Sequence, residues 1–235
     1  TIVVDTTVTA RAKRKDIIDN TKIKAGQVIV GLASFGKANF ENEYNSGIGS
    51  NGLTSARHDL LNKIYIEKYP ESFNPLIKNE LVYTGKYKVT DRDERLPIDI
   101  GKAILSPTRS YAFIIKAILD NYQDKIAGIV HCSGGGQTKC IRFGKNVHYI
   151  KDNLFTPPPI FEIIKDSSGS KNRELYSVFN MGHRMELYTD EKTASEIINI
   201  SKSFGVDAKI VGYIENSTQN RVTINLKDEK IEYAL

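Results

Sequence analysis

The residues best suited to chemistry sit in glycine-rich turns. In Gly47-Ile48-Gly49-Ser50-Asn51-Gly52, three glycines fall within six residues, with Ser50 and Asn51 between them. Leu53, Ala56, Leu60, Leu61 and Ile64 follow at helical spacing. A flexible loop that ends at a helix N-terminus offers unpaired amide donors and the positive end of the helix dipole, which together attract an anion. Arg57, about one turn into that helix, could clamp a phosphate with two parallel hydrogen bonds. The same pattern also fits an ordinary capped helix behind a surface loop. A second turn, Ser133-Gly134-Gly135-Gly136, follows an apolar run. Consecutive glycines there cannot serve strand or helix stability, because each costs about 0.5–1 kcal/mol relative to Ala inside an element. They permit close approach of the backbone, either to a phosphate cradled by amides or to another chain segment.

Other candidates are weaker. Arg109 lies in Ser106-Pro107-Thr108-Arg109, ahead of a helical pattern from Tyr111 to Leu119. The dipole does not favour a cation there, so Arg109 either faces solvent or meets an anion. Asn180 and Gly182 belong to a further turn, Phe179-Asn180-Met181-Gly182. None of the four histidines has a partner at metal or triad spacing, although His131 and His183 abut glycine turns. Cys132 and Cys140 fit no zinc spacing and read as structural thiols. No metal ligand set and no catalytic residue can be named. There is no Walker-type lysine motif and no dinucleotide fingerprint after a first strand.

The elements that must position these turns are legible in part. The 235 residues are 40% hydrophobic and 26% charged, enough for a packed core and against global disorder. A net charge of +5 suits an anionic small molecule. The densest basic run, Arg11 to Lys15, lacks the interleaved aromatics of a nucleic-acid surface, so no nucleic-acid partner is expected. No apolar run approaches the roughly 20 residues of a membrane span. With no signal-peptide pattern and only two cysteines, a cytoplasmic setting is expected. Strands are expected at Thr1–Ala10, Gln27–Ala33, Ile126–Val130, Leu175–Phe179, Met185–Tyr188, Ala208–Ile214 and Arg221–Leu226, with a hairpin around Gly85 within Leu81–Val89. Helices are expected at Leu53–Tyr69, from Tyr111, at Ile160–Lys165, and from Asp190 to Gly205. The charge run Asp91–Arg95 reads as a solvated face. This intermixing predicts an α/β (α+β) fold, a mixed β-sheet flanked by helices. Because Thr1 falls inside a strand pattern, the chain reads as a fragment: 1–20 the last strand and linker of a preceding domain, 21–235 a C-terminal α/β domain.

The ordered set is more specific than any member. A strand Gly26-Gln27-Val28-Ile29-Val30 leads to Ser50-Asn51-Gly52 and a helix carrying Arg57. Pro107-Thr108-Arg109, Gly134-Gly135-Gly136 and Phe179-Asn180-Met181-Gly182 then follow in that order. Over about residues 20 to 226 this resembles the C-terminal domain of aminoimidazole ribonucleotide synthetase (phosphoribosylformylglycinamidine cyclo-ligase), of purine biosynthesis. The loop from Lys37 to Gly49 and the Leu81–Asp99 region are longer than that family leads one to expect, and His131-Cys132-Ser133 replaces its more usual residues. The resemblance implies ATP-dependent closure of formylglycinamidine ribonucleotide to aminoimidazole ribonucleotide, with a nucleotide substrate and a homodimeric full-length enzyme. ATP and Mg2+ would be held largely through an N-terminal domain that this chain lacks, so the fragment alone would be inactive. A phosphate-ended ligand would meet Ser50, Asn51, Gly52 and Arg57, with Ser133, Gly134, Gly135 and Gly136 close through their backbone and Arg109, Asn180 and Gly182 in support. Formylglycinamidine ribonucleotide synthetase, thiamine-phosphate kinase or selenophosphate synthetase, or a non-catalytic ligand-binding module, are the alternatives.

Overall fold

The β-rich run after Gly26 forms β1 (Val28–Ala33), whose five residues from Ile29 on are all buried. A strand enclosed on both faces needs such an unbroken apolar run. The computed structural model describes residues 6–234 and builds around β1 a sheet of seven strands. These are β1, β2 (Gly128–His131), β3 (Val147–Lys151), β4 (His183–Thr189), β5 (Ala208–Asn216), β6 (Arg221–Asn225) and β7 (Lys230–Ala234). Their spatial order is β2-β4-β1-β5-β3-β6-β7. Neighbours are antiparallel except β3 and β6, which run parallel, so the sheet is mixed.

Register decides where the functional turns fall. In β1 and β4, Ala33 stands opposite His183; in β2 and β4, His131 stands opposite Met185. The end of β1, the end of β2 and the start of β4 therefore share one end of the sheet. The loop through Gly52, the triple-glycine turn and the Asn180 turn all spring from it.

The described residues form seven α-helices: α1 (Leu53–Leu60), α2 (Ile64–Lys68), α3 (Ile100–Leu105), α4 (Ala112–Tyr122), α5 (Pro159–Ser168), α6 (Asn172–Val178) and α7 (Glu191–Ser203). Helix α7 packs on β1 and β5 and also meets α4, while α5 packs on α1. Asp190 caps α7 by accepting from the Thr193 amide at 2.9 Å, as its Thr-Asp-Glu start leads one to expect. The fold class is thus α/β with a mixed, helix-flanked sheet.

Several local expectations are corrected. The helix expected over Leu53–Tyr69 breaks at Leu61, where the backbone turns extended, bridges to Tyr87 and accepts from the Gly85 amide. The hairpin expected around Gly85 is this bridge inside irregular chain, preceded by a 3-10 turn at Asn79–Leu81. Leu175–Val178 is helical as part of α6, and the extended Phe179 ends it, its amide closing on the Leu175 carbonyl. Helix α3 was not expected; Asp99 caps it through the Lys102 amide at 2.8 Å. Asp93 is not a solvated charge, since it accepts from Tyr87 and Arg95. Residues 6–10 are exposed without regular structure, and the rest of the strand expected at Thr1–Ala10 lies outside the described residues. Among the described residues, no helix is long and apolar enough to cross a membrane.

Candidate anion-binding site

The glycine turns meet. Asn51 sends its Nδ2 to the Val178 carbonyl at the end of α6, 2.5 Å away. A Cβ built on Gly134 would lie 3.8 Å from Asn51 Oδ1. The Ser50-Asn51-Gly52 turn and the Ser133–Gly136 turn are therefore neighbours across a narrow gap. Helix α1 begins after Gly52, which stands at φ +74°, and no side chain caps its first turn. Among the described residues, the amides of Asn51, Gly52, Gly134 and Gly135 donate to no protein acceptor. Donors left open on both sides of one gap suit an anion.

Asn180 holds this arrangement from beneath. Its Oδ1 accepts from Ser34 Oγ at 2.7 Å and from the Gly182 amide at 3.0 Å. Its Nδ2 donates to the Gly47 carbonyl at 2.8 Å, and its own carbonyl accepts from Gln137 Nε2. One buried amide thus ties together the chain leaving β1, the first glycine turn, the turn before β4 and the 3-10 turn Gly136–Arg142. Gly136 is required at its place: φ is +49°, and a Cβ would come within 2.5 Å of the Phe179 carbonyl oxygen and 2.8 Å of that of Tyr176. Asn180, Gly182 and Gly136 therefore hold the framework of the turns.

The two arginines singled out in the sequence are placed differently from expectation. Arg109 is buried and gives its guanidinium to protein acceptors: Nε and Nη2 to Glu41 at 2.8 and 2.7 Å, Nη1 to the carbonyls of Ala33 and Phe35 at 2.9 Å each, and Nη2 also to Gly36 at 3.2 Å. It pins the loop after β1 and has no donor left for a ligand. It also precedes α4 rather than lying in its first turn, since the helix begins at Ala112 after Tyr111. Arg57 donates to the Ser72 carbonyl and, at 2.8 Å, to Tyr83 Oη. It lines a separate cleft with Tyr65, Tyr69 and Tyr83, away from the glycine turns.

The cations that do stand at the gap were not singled out. Lys139 Nζ donates to Ser133 Oγ at 2.6 Å. Ser50 is held from its other side by Thr108, whose Oγ1 accepts from the Ser50 amide at 3.3 Å. His131, at the end of β2, has its pKa lowered, first by burial and then by the charges of Arg184 and Lys139. Arg184, the second residue of β4, is 1% exposed and lies under the first glycine turn: a Cβ built on Gly49 would fall 2.5 Å from Arg184 Cζ. Lys139 and Arg184, whose charges both reach the neutral His131, therefore make one electropositive patch beside the open amides.

Behind the patch lies a sealed polar cluster. Lys151 Nζ donates to the Gln137 carbonyl at 2.6 Å, to Gln137 Oε1 at 3.0 Å and to Glu186 Oε1. Glu186 also accepts from Tyr188 Oη and meets His183 Nε2 at 2.8 Å. Burial alone would raise the Glu186 carboxyl, but Lys151 and His183 more than offset it and hold it well below the usual range. His183 has its pKa lowered by burial and is neutral, so it donates from Nε2. Potential ligand atoms of Cys132, His183 and Glu186 lie within 4.8 Å of one another, the sole such group of three among the described residues. Lys151 already occupies Glu186 there, and burial raises the Cys132 thiol well above its usual pKa and keeps it protonated. This set does not fit a hard, oxygen-seeking Mg2+.

No family model matches the sequence. Curated relatives do. The chain is 31% identical over 216 residues to a phosphoribosylformylglycinamidine cyclo-ligase of Methanocaldococcus jannaschii, covering 91% of this chain and 51% of the relative. It is 34% identical over 214 residues to that of Methanococcus vannielii, again 91% and 51%. This chain is a relative of the phosphoribosylformylglycinamidine cyclo-ligases. It matches their C-terminal region and spans about half the length of these cyclo-ligases. Among solved structures, T. maritima PurL complexed with FGAR aligns over 94% of this chain and 29% of its own, at 14% identity and TM-score 0.48. Hydrogenase maturation protein HypE aligns over 88% and 51%, at 12% identity and TM-score 0.44.

Proposed function

We propose that this chain is the C-terminal half of a cyclo-ligase that uses ATP to close formylglycinamidine ribonucleotide to aminoimidazole ribonucleotide, and that its glycine turns hold a phosphate-bearing part of the nucleotide ligand. The observation that carries this reading is the meeting of the Asn51 and Gly134 turns, with open amides on both and cations alongside. Cyclo-ligase names among the relatives favour this chemistry over that of the thiamine-phosphate kinases or selenophosphate synthetases. ATP supplies activation of the formyl amide oxygen. The task of this chain is positioning and charge neutralisation, which phosphoryl chemistry chiefly needs. Ser50, Asn51, Gly52 and Ser133 to Gly135 contact the ligand, Lys139 neutralises it, and Asn180, Gly182, Gly136 and Arg109 keep the turns in register. Mg2+ and the catalytic groups belong to the N-terminal half, and residues 1–20 form the link to it. Contacts with this domain begin within that stretch, where the Asp16 carbonyl accepts from Gln123 Nε2 at 2.8 Å and Ile18 packs against the core, and continue through Asn20, whose Oδ1 accepts from the Ile129 amide at 2.8 Å, to the buried Ile23.

The test is coupled detection of ADP release by the full-length enzyme. Release is expected with formylglycinamidine ribonucleotide and not with formylglycinamide ribonucleotide, thiamine phosphate or selenide. Lys139→Ala is expected to raise KM about tenfold, the worth of one charge-assisted contact, while Arg57→Ala leaves KM largely unchanged. Turnover with one of the other substrates instead would overturn the assignment.

A further inference from the structure

Three cations of this chain are nearly sealed from solvent: Arg109 at 3% exposure, Lys151 at 0% and Arg184 at 1%. Two of them are matched, Arg109 by Glu41 and Lys151 by Glu186. Arg184 is the exception. Among the described residues it makes no ion pair, and its guanidinium makes one hydrogen bond, from Nη2 to the Ile48 carbonyl at 2.5 Å. A buried charge without a counter-ion is strongly unfavourable, so such groups are paired in use. The remaining guanidinium donors are not sealed either. His148 Nδ1 is the sole fully enclosed side-chain nitrogen or oxygen without a partner among the described residues, so the unpartnered nitrogens of Arg184 keep a trace of solvent contact.

The guanidinium lies against the glycine turn. The guanidinium takes the space that a side chain at position 49 would need, and Gly49 adopts φ +58° above it. The Cys132 amide donates to the Arg184 carbonyl at 2.6 Å, which fixes its backbone to the strand leading into the triple-glycine turn. His131 is within reach of its field, and no carboxylate perturbs it.

We propose that Arg184 is an anion receptor: from the floor of the Gly49 turn its guanidinium pairs with a phosphate group held by the amides of the glycine turns. This rests on the reading of those turns as a phosphate site and adds the residue that supplies the charge. A planar guanidinium fits two phosphate oxygens at once, and it stays charged where a histidine would not.

The test is isothermal calorimetry and thermal denaturation of the chain with inorganic phosphate and with ribose 5-phosphate, in chloride buffer. The unsubstituted chain is expected to bind one equivalent of one or both. A phosphomonoester preferred over inorganic phosphate marks a sugar phosphate as the ligand; the reverse marks a free phosphate. Arg184→Met is expected to lose at least about tenfold in affinity and the phosphate-dependent rise in Tm, with Arg184→Lys in between. If Arg184→Met binds as tightly as the unsubstituted chain while Lys139→Ala binds more weakly, the turns remain a phosphate site and the role of Arg184 is refuted. If the unsubstituted chain binds neither probe, both readings fall. Should Arg184→Met not fold, the Arg184 Nε–Hε resonance of the unsubstituted chain decides. It must shift along the phosphate titration with the calorimetric midpoint, and a stationary resonance overturns the proposal.

Discussion

At the scale of single residues, burial rather than residue type decides what a cation does here. Arg57 and Arg109 stood out in the sequence because of their neighbours, yet Arg109 is spent on protein acceptors and Arg57 gives its Nη2 to Ser72 and Tyr83 in another cleft. Arg184 did not stand out: it is one of 33 Lys and Arg, and nothing around it in the sequence says that its side chain runs beneath a glycine 135 positions earlier (184 − 49). Glu41, the partner that removes Arg109 from the site, is likewise remote in sequence, 68 residues away. Glycine spacing was legible because a turn is a local property; the pairing of charges is not. Lys151 and Glu186 show what the pairing is worth. Removing the ammonium leaves a carboxylate sealed in the core, which costs about 3–5 kcal/mol. Lys151→Met is therefore expected to lower unfolding free energy by about that amount, read from the denaturant midpoint. Lys151→Met combined with Glu186→Leu is expected to be less destabilised than the single variant, because no charge is then left unpaired. Equal stability of Lys151→Met and the parent would refute the pairing.

At the scale of elements, the sequence spoke where one element satisfies itself. Strand β1 is a run of apolar and β-branched residues long enough to be enclosed, and α7 carries both its cap and its apolar stripe. It misled where tertiary contacts choose. The break between α1 and α2 exists because Leu61 and Asn62 bond to the Gly85–Tyr87 segment, and no local signal marks that. Segment α6 was ambiguous because Leu175, Tyr176 and Phe179 satisfy strand and helix patterns alike. The join between the 3-10 turn and α6 gives a sharp test. Gly136→Ala forces a Cβ against two carbonyl oxygens at a positive φ. A loss of about 2 kcal/mol or more is expected in chemical denaturation, with weaker phosphate binding because the Gly134 and Gly135 amides shift together. An unperturbed midpoint would show that the turn has room to move.

At the scale of the whole molecule, charge and burial combine into a pH response. His58, His131, His148 and His183 all have their pKa lowered, in each case chiefly by burial. In the unfolded chain they take up protons near pH 6.5, and in the folded chain only at lower pH. Between those values the unfolded state binds more protons, so stability is fully present above about pH 6.5 and declines as the pH falls through and below it. A Tm at pH 5.5 clearly below that at pH 7.5 is expected, with no comparable change between pH 7.5 and 8.5. A flat profile from 5.5 to 7.5 would contradict the enclosed, neutral state of these rings.

The common origin of the turns at one end of the sheet has a mechanical consequence. The chain leaves β1 and β2 and enters β4 there, three strands side by side whose spacing is set at about 4.8 Å by backbone hydrogen bonds. The gap between the Asn51 and Gly134 turns is thus rooted in hydrogen-bonded strands, and Asn180 clamps the chain segments at that root. If the gap holds the proposed phosphate, such a gauge would select by size: a compact tetrahedral oxyanion would seat without rearrangement, whereas a bulkier group would gain admission only by prising hydrogen-bonded strands apart.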